Sequence, residues 1–210
     1  MARGSAKKKL KIREWLLNRD TARVVTEPRA ASVLLSVLFE DDALLRWRAI
    51  EALGAWAKLT ITSNPEKVRE IVRRMFWAMN DESGGFIWMA PQTVAYILRC
   101  VPTLIDEYGL MLISKMREEP FVTGVMWAAY YLGDQKHIIS KWSDEIKVNC
   151  KSDIPEARIY ATAALLRAEV ITKEKIDAKI LNDQRILEEY DFEKGEFVSV
   201  SASNFIASYC

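Results

Sequence analysis

The chain has 210 residues, of which 50% are hydrophobic and 28% are charged, a mix typical of a globular protein with a sizeable core. Its 30 Lys and Arg residues are balanced by 29 Asp and Glu residues, so nucleic acid held mainly by counterion release is not an expected partner. The presence of only 8 glycines and 6 prolines argues against a turn-rich β-sandwich and against a disordered chain. The length fits one domain or a short repeat array.

The chain contains three cysteines with no C-x-x-C pair among them, namely Cys100, Cys150 and Cys210. This pattern predicts a reducing compartment, so we expect a cytoplasmic protein and not a secreted disulfide framework. His137 is the single histidine, and the sequence predicts neither a metal site nor a cofactor. Residues 1–15 lack the apolar segment of a signal peptide. The longest uncharged stretch, residues 83–98, is too short and too polar for a membrane span.

Helical patterns follow one another along most of the chain. The first two helices are predicted over residues 7–18 and 28–39, and a third over residues 43–59. A clear helix start follows at Asn64, where the side chain caps the helix and Pro65 occupies its first turn, and this helix should reach Met79. The remaining helices are predicted over residues 90–109, 110–118, 120–132, 136–149 and 155–170.

Strand patterns occur only near the C-terminus, where residues 188–192 and 196–201 predict a β-hairpin. The first 30 residues carry 9 Lys and Arg against 3 Asp and Glu, so this end of the chain is basic. We therefore expect three parts: a basic N-terminal helix or cap over residues 1–25, one repeat domain over residues 26–182, and a C-terminal hairpin and tail over residues 183–210.

Four segments of the chain align with one another without gaps. They read RWRAIEALG from Arg46, QTVAYILRC from Gln92, VMWAAYYLG from Val125 and RIYATAALL from Arg158. Their fourth positions are all alanine, at Ala49, Ala95, Ala128 and Ala161. A small residue at the same place in each copy predicts that two helices approach closely there. In the first and last copies an aspartate, Asp41 or Asp153, precedes the arginine, and we interpret this pair as a tie between a turn and the next helix.

These segments resemble HEAT-like repeats, including the short repeats of phycobilin lyases. The pattern that carries the resemblance is Asp41, Arg46, Ala49, Ala52, Leu53 and Gly54, and it recurs as Asp153, Arg158, Ala161, Ala164 and Leu165. The second copy departs from the pattern, with Gln92 in place of the arginine and Arg99 in place of the leucine. Over residues 28–170 the resemblance implies an all-α fold of the ARM type, a right-handed alpha-alpha superhelix or solenoid. The basic N-terminal helix and the small C-terminal β-hairpin would cap its ends.

A helical wheel of the second helix in each repeat predicts a candidate binding face. Two columns lie opposite the alanines, one with Arg48, Val94, Trp127 and Tyr160 and the next with Glu51, Ile97, Tyr130 and Ala163. These columns are largely apolar or aromatic, which is typical of a groove that binds a protein or peptide. The alternative is that the helices are buried on both sides. Solvent exposure of Trp127 and Tyr160 distinguishes the two.

The loop Asn80–Gly85 is a second candidate site. It lies between Trp77 and Trp88 in the sequence and carries the carboxylates Asp81 and Glu82. Its two glycines permit a backbone conformation that approaches a ligand closely. The alternative is a long turn whose polar side chains only cap helices.

These observations favour a non-enzymatic protein-binding or scaffold module with an unknown protein or peptide partner, because the sequence shows no catalytic residues. The resemblance also admits a HEAT-like DNA glycosylase that excises alkylated bases, in which Asp81 or Glu82 beside Trp77 and Trp88 would serve as the catalytic carboxylate. A third alternative is an accessory protein of the phycobilin-lyase type. The terminal hairpin is expected either to cover the last repeat or to pair with a second copy in a homodimer.

Overall fold

A computed structural model describes residues 2–80 and 87–209 of the protein. Helices dominate these residues, and near the C-terminus two antiparallel strands form a small hairpin. The predicted all-α class is therefore confirmed, whereas the superhelical arrangement stays a prediction. Within the described ranges, no helix combines the length and the apolar character that crossing a membrane requires.

The chain divides into two compact units. The first comprises Met1–Thr103 together with Asp191–Glu196, and the second comprises Leu104–Tyr190 together with Phe197–Cys210. The tip of the hairpin is thus counted with the first unit, and its body with the second.

The first unit is built from six helices within the described residues. They are α1 (Ala2–Leu17), α2 (Thr21–Thr26), α3 (Ala30–Val37), α4 (Ala43–Thr60), α5 (Pro65–Met79) and α6 (Ala90–Cys100). The start of α5 is as predicted, because Asn64 Oδ1 accepts a hydrogen bond from the Lys67 amide at 3.1 Å and Pro65 is the first helical residue. Asp42 caps α4 in the same way through the Leu45 amide.

The described residues of the second unit form seven α-helices and all but one end residue of each of the two strands. They are α7 (Ile105–Ser114), α8 (Val122–Tyr131), α9 (Lys136–Lys141), α10 (Ser143–Asn149), α11 (Pro155–Arg167), α12 (Ala178–Leu181), β1 (Ile186–Asp191), β2 (Glu196–Ser201) and α13 (Ala202–Ala207). The hairpin agrees with its prediction to within two residues at each strand end. The helix α13 that follows it was not predicted.

Several predicted helices are divided in the structure. The helix expected over residues 90–109 ends at Cys100, because Pro102 cannot continue the hydrogen-bond pattern and begins a short 3-10 turn. The helix expected over residues 136–149 is interrupted at Trp142. The helix expected from Pro28 begins later, after Arg29 has adopted a left-handed conformation with a φ of 64°.

The N-terminal helix α1 is fixed to the rest of the first unit by a narrow apolar face and by ion pairs. Among the side chains of α1 that the structure describes, Ile12 and Leu16 are buried, whereas Leu10 and Leu17 are 65% and 47% exposed. Its basic side chains are not simply solvated, because Lys9 pairs with Glu40 at 2.8 Å and other cations of the helix form similar pairs. This helix is therefore docked on the first unit through both apolar and ionic contacts.

The repeated residues play repeated structural roles. All four aligned alanines, Ala49, Ala95, Ala128 and Ala161, are fully buried. The predicted contacts of the two arginines also recur, but each arginine donates hydrogen bonds to main-chain carbonyls and not to the aspartate side chain. Arg46 donates to the carbonyl of Glu40 and Arg158 to that of Ser152, in each case six residues earlier. The two copies thus fasten the preceding turn to the helix in the same way.

Gly54 allows an especially close approach of α4 to α6. A Cβ atom at this position would lie 2.5 Å from the ring of Tyr96 and 2.8 Å from the sulfur of Cys100. Such distances are shorter than van der Waals contact, so an added methyl group must displace its neighbours. Tyr96 resists displacement, since its ring stacks on Phe192 at the hairpin tip with 4.2 Å between centroids.

We predict that Gly54→Ala is less stable than Gly109→Ala by about 1–3 kcal/mol, the usual cost of overpacking a core. Both glycines lie in helices, so the gain in helix propensity is the same and cancels in the comparison. At Gly109 the new methyl group meets the flexible end of Ile138 at 3.2 Å, where a small shift suffices. Urea unfolding of the two variants measures the difference, and equal stabilities would contradict the close approach of α4 and α6.

Candidate functional site

Arg48 and Glu51, two of the predicted binding residues, are engaged by the chain itself. The Arg48 guanidinium donates to the carbonyls of Leu16 and Leu17 at the end of α1 and to the carbonyl of Gly195 in the hairpin turn. Glu51 accepts a hydrogen bond from Arg19 at 3.0 Å. These side chains therefore position the hairpin tip on the first unit and are not available to a partner.

The hairpin turn fits closely against Arg19. This guanidinium donates to the carbonyls of Phe192 and Glu193. Gly195 has a φ of 72°, and a Cβ atom there would lie 2.2 Å from Arg19 Nε, so both conformation and space require glycine. Arginine suits this task because its planar fork can bind several carbonyls at once.

The predicted aromatic column of the second unit is covered by the C-terminal segment. Trp127 is 5% exposed and Tyr160 is 8% exposed. Tyr160 donates a hydrogen bond to Glu189 on β1, and the hydroxyls of Tyr130 and Tyr209 lie 2.7 Å apart. The prediction of an open groove at these residues is therefore wrong, because the hairpin body and the residues around α13 occupy the place that a partner would take.

Glu189 is the polar centre of this covered face. Burial raises the pKa of Glu189 to about 6, although hydrogen bonds from Tyr160 and Trp127 act in the opposite direction. Burial also raises the pKa of Tyr130 and of Tyr160 above the usual value, so both phenols stay protonated. The Arg167 guanidinium lies over the Tyr130 ring at 5.2 Å and donates to its main-chain carbonyl. Together these contacts hold the C-terminal segment in place. We call the contacts of Glu189 and Tyr209 with Tyr160 and Tyr130 the latch.

The two tryptophans that flank the predicted loop are highly exposed. Trp77 is 70% exposed at the end of α5, and Trp88 is 64% exposed just before α6. Asp81 and Glu82, the predicted carboxylates of the Asn80–Gly85 loop, lie outside the described residues. Both tryptophans belong to the described residues, and Trp77 also lines a surface hollow.

Two neighbouring hollows lie between α3 and α5, and together we call them the α3–α5 groove. The first has a volume of about 310 Å³ and a floor formed by Leu35, Met75, Ala78 and Ile87. Phe39, which is 58% exposed, and Trp77 stand at its rim. The second hollow, of about 320 Å³, lies beside Trp56 and carries Arg29 and Lys67.

Phe39 and the basic side chains of this groove were not predicted as site residues. Trp77 was predicted because it flanks the Asn80–Gly85 loop, and the amphipathic pattern of α5 carries a second signal for it. Its buried face is apolar, and Trp77 lies on the opposite face, one turn after Arg73 and Arg74. A large aromatic side chain on the polar face of an amphipathic helix does not contribute to the core, which makes it a candidate for binding.

A larger cleft of about 920 Å³ lies beside α10, α11 and α12 in the second unit. Its lining contains as many lysines as aspartates, and one such pair, Lys147 and Asp144, is joined at 2.8 Å. Burial raises the pKa of Cys150 in this cleft and of Cys100 in α6, which disfavours the reactive thiolate of each. The lone histidine, His137, lies on the surface at 3.0 Å from Asp106.

Comparisons with known proteins add a partial likeness. No family model and no solved structure matches the chain. An uncharacterized protein of Archaeoglobus fulgidus is 30% identical over 108 residues, which cover 51% of this chain and 55% of that protein. The chain thus spans about half the length of the curated relative that it matches, and its function has to be argued from the geometry of its own surfaces.

We predict that the latch at Glu189 makes stability depend on pH. A pKa of about 6 in the folded chain lies above the ordinary value of 4.5, so the folded chain binds this proton more tightly than the unfolded chain. The contribution of Glu189 to the free energy of unfolding is complete below pH 4.5. It decreases by about 2 kcal/mol as the pH rises through 6. Glu189→Gln stays neutral and should lack this component. Urea unfolding of both chains over this range measures the difference.

Other carboxylates titrate in the same range, so the informative quantity is the free energy of unfolding of the parent minus that of the variant. It should decline from low to neutral pH. A difference that stays constant or increases with pH would show that Glu189 is not buried beneath the hairpin.

Proposed function

We propose that the protein is a non-enzymatic, HEAT-like protein-binding module, and that its partner docks in the α3–α5 groove. The observation that carries the proposal is the exposure of Phe39 and Trp77 around an apolar floor. Exposed aromatic side chains at a concave surface are typical of interfaces, where tryptophan is among the residues that contribute most to affinity. Trp127 and Tyr160 on the second helices do not take part in this docking surface, since both are buried.

The HEAT-like part of the proposal is supported by equivalent contacts in equivalent copies. The carbonyl ties of Arg46 and Arg158 and the four buried alanines recur at aligned positions. Gly133, which aligns with Gly54, likewise permits close packing, because a Cβ atom there would lie 2.6 Å from Arg167 Cβ. In repeat proteins such contacts hold helix pairs together and leave surfaces free for partners.

The loop Asn80–Gly85 remains part of the proposal. It connects Trp77 to Ile87 in the sequence, and both of these residues line the groove. A partner seated on the groove would therefore lie beside Trp77 and Ile87, which flank this loop in the sequence. The edge-to-edge homodimer through the hairpin stays a separate prediction.

We predict that the double variant Phe39→Ala and Trp77→Ala loses partner proteins that the parent chain captures. Truncation of one anchoring aromatic residue in an interface commonly costs about 2 kcal/mol or more, or roughly thirtyfold in affinity. Capture from the native source, quantified by mass spectrometry, identifies candidates. Titration of each purified candidate against parent and variant then gives the ratio of dissociation constants.

The matched control is Leu59→Ala, which removes a 64% exposed side chain on α4 outside the groove and should leave binding unchanged. Thermal unfolding checks that the double variant still folds, as expected for exposed positions. Partners that bind the double variant and the parent equally would refute docking in the α3–α5 groove. Duplex DNA retained at low salt in place of proteins would favour the glycosylase alternative.

A further inference from the structure

The two hollows of the α3–α5 groove form one continuous channel. Ser32 and Arg74 line both of them, so the hollows meet at these residues. Residue numbers rise in the same direction along both walls, from Arg29 to Phe39 on one side and from Lys67 to Trp77 on the other. Each wall thus covers about ten residues and about 15 Å of helical rise, the length of a short peptide segment.

The two ends of the channel differ in chemistry. Phe39 and Trp77 make one end aromatic, whereas Arg29 and Lys67 make the other end basic. Arg74 lies at the middle, where the hollows meet. An occupant that fits both ends therefore combines a bulky apolar group with negative charge.

Among the described residues that line the channel, the cations outnumber the carboxylates. Glu27 also lines the basic hollow, but Lys8 already pairs with it at 3.1 Å. Within the described lining of this hollow, Glu70 is then the carboxylate that remains opposite three cations, Arg29, Lys67 and Arg74. Neither Arg29 nor Arg74 forms an ion pair with any residue that the structure describes. Guanidinium groups without an ion pair are suited to binding a carboxylate, because the two groups can form two parallel hydrogen bonds.

At the aromatic end, the serine nearest to Phe39 already has a hydrogen-bond partner. The Ser36 hydroxyl, which faces the apolar hollow, already donates to the carbonyl of Val33 at 2.7 Å. The floor beneath it is apolar, at Leu35 and Met75. An aliphatic or aromatic side chain seated between Phe39 and Trp77 would therefore bury apolar surface at little cost in lost hydrogen bonds.

We infer that the α3–α5 groove binds an acidic peptide segment of a partner protein, with one bulky apolar side chain between Phe39 and Trp77 and carboxylates at Arg74 and Arg29. The inference rests on the proposed function and adds the chemistry of the partner to it. Charge complementarity at the basic end selects the acidic segment, while the aromatic end supplies the apolar anchor.

A phage-displayed library of random dodecapeptides tests this inference on the full chain. Peptides are selected on the parent and counter-selected on the double variant Phe39→Ala and Trp77→Ala, so that those retained depend on the groove. We expect the retained sequences to be rich in Asp and Glu around a single Phe, Trp, Leu or Met. Synthetic copies of them should bind more weakly at about 0.5 M salt than at about 0.05 M salt, because screening weakens exposed ionic contacts.

Charge reversal at Arg74 provides the sharpest comparison. Arg74→Glu should weaken the selected peptides at least about tenfold in fluorescence anisotropy, since attraction becomes repulsion at the centre of the channel. The matched control is Arg73→Glu, which makes the same change in net charge one residue away but outside the groove lining. It should change the affinity much less. Replacing the acidic residues of each peptide by Asn or Gln should cause a loss similar to that of Arg74→Glu.

The outcomes separate this inference from the function on which it rests. Retained peptides that are neutral or basic, or that ignore Arg74→Glu, would overturn the acidic partner and leave protein binding at the groove intact. A failure to retain any peptide that depends on Phe39 and Trp77 would overturn both. Light scattering tests whether a second copy of the chain occupies the groove. A dimer that Arg74→Glu dissociates and Arg73→Glu does not would assign the groove to a second copy.

Discussion

Close approach of paired helices is the constraint on which much of the remaining structure depends. At Gly54 the absence of a side chain lets the Tyr96 ring lie directly against α4. The same ring stacks on Phe192 and so helps to place the hairpin tip, which Arg19 and Arg48 then hold through main-chain carbonyls. One small residue inside a helix pair thereby determines where a segment almost 140 residues later in the chain can lie.

The elements of the fold could be predicted where local chemistry decides them. Asn64 and Pro65 define the start of α5 without reference to anything distant, and the hairpin follows from strand patterns around Gly195. The interruption at Trp142 has no comparable local signal, since its neighbours on both sides are helical. Pro102 does carry such a signal, because a proline cannot continue the hydrogen-bond pattern of a helix, and α6 ends just before it. The short helix α13 depends on burial of Phe205 and Ile206, which only the tertiary structure supplies.

The covered aromatic column shows why the site was harder to predict than the fold. Trp127, Tyr130 and Tyr160 present an apolar face with polar atoms at its edge, and this pattern is the same whether a partner or the chain itself covers it. Glu189 and Tyr209, which complete the face, lie far away in the sequence and carry no motif. A helical wheel identifies a face that needs a neighbour, but it does not identify the neighbour.

The α3–α5 groove stays open because the residues at its rim do not pack into the core. The core of α5 is complete with Val68, Val72 and Met75, so Trp77 adds nothing to it from the opposite face. An exposed tryptophan costs solubility, and single ones on a surface need no explanation. Here Phe39 shares the same hollow, and an arginine without an ion pair among the described residues stands beside both. The aromatic residues of the latch stabilise the fold by packing against the C-terminal segment. Phe39 and Trp77 have no such role, so these exposed residues are the ones that point to binding.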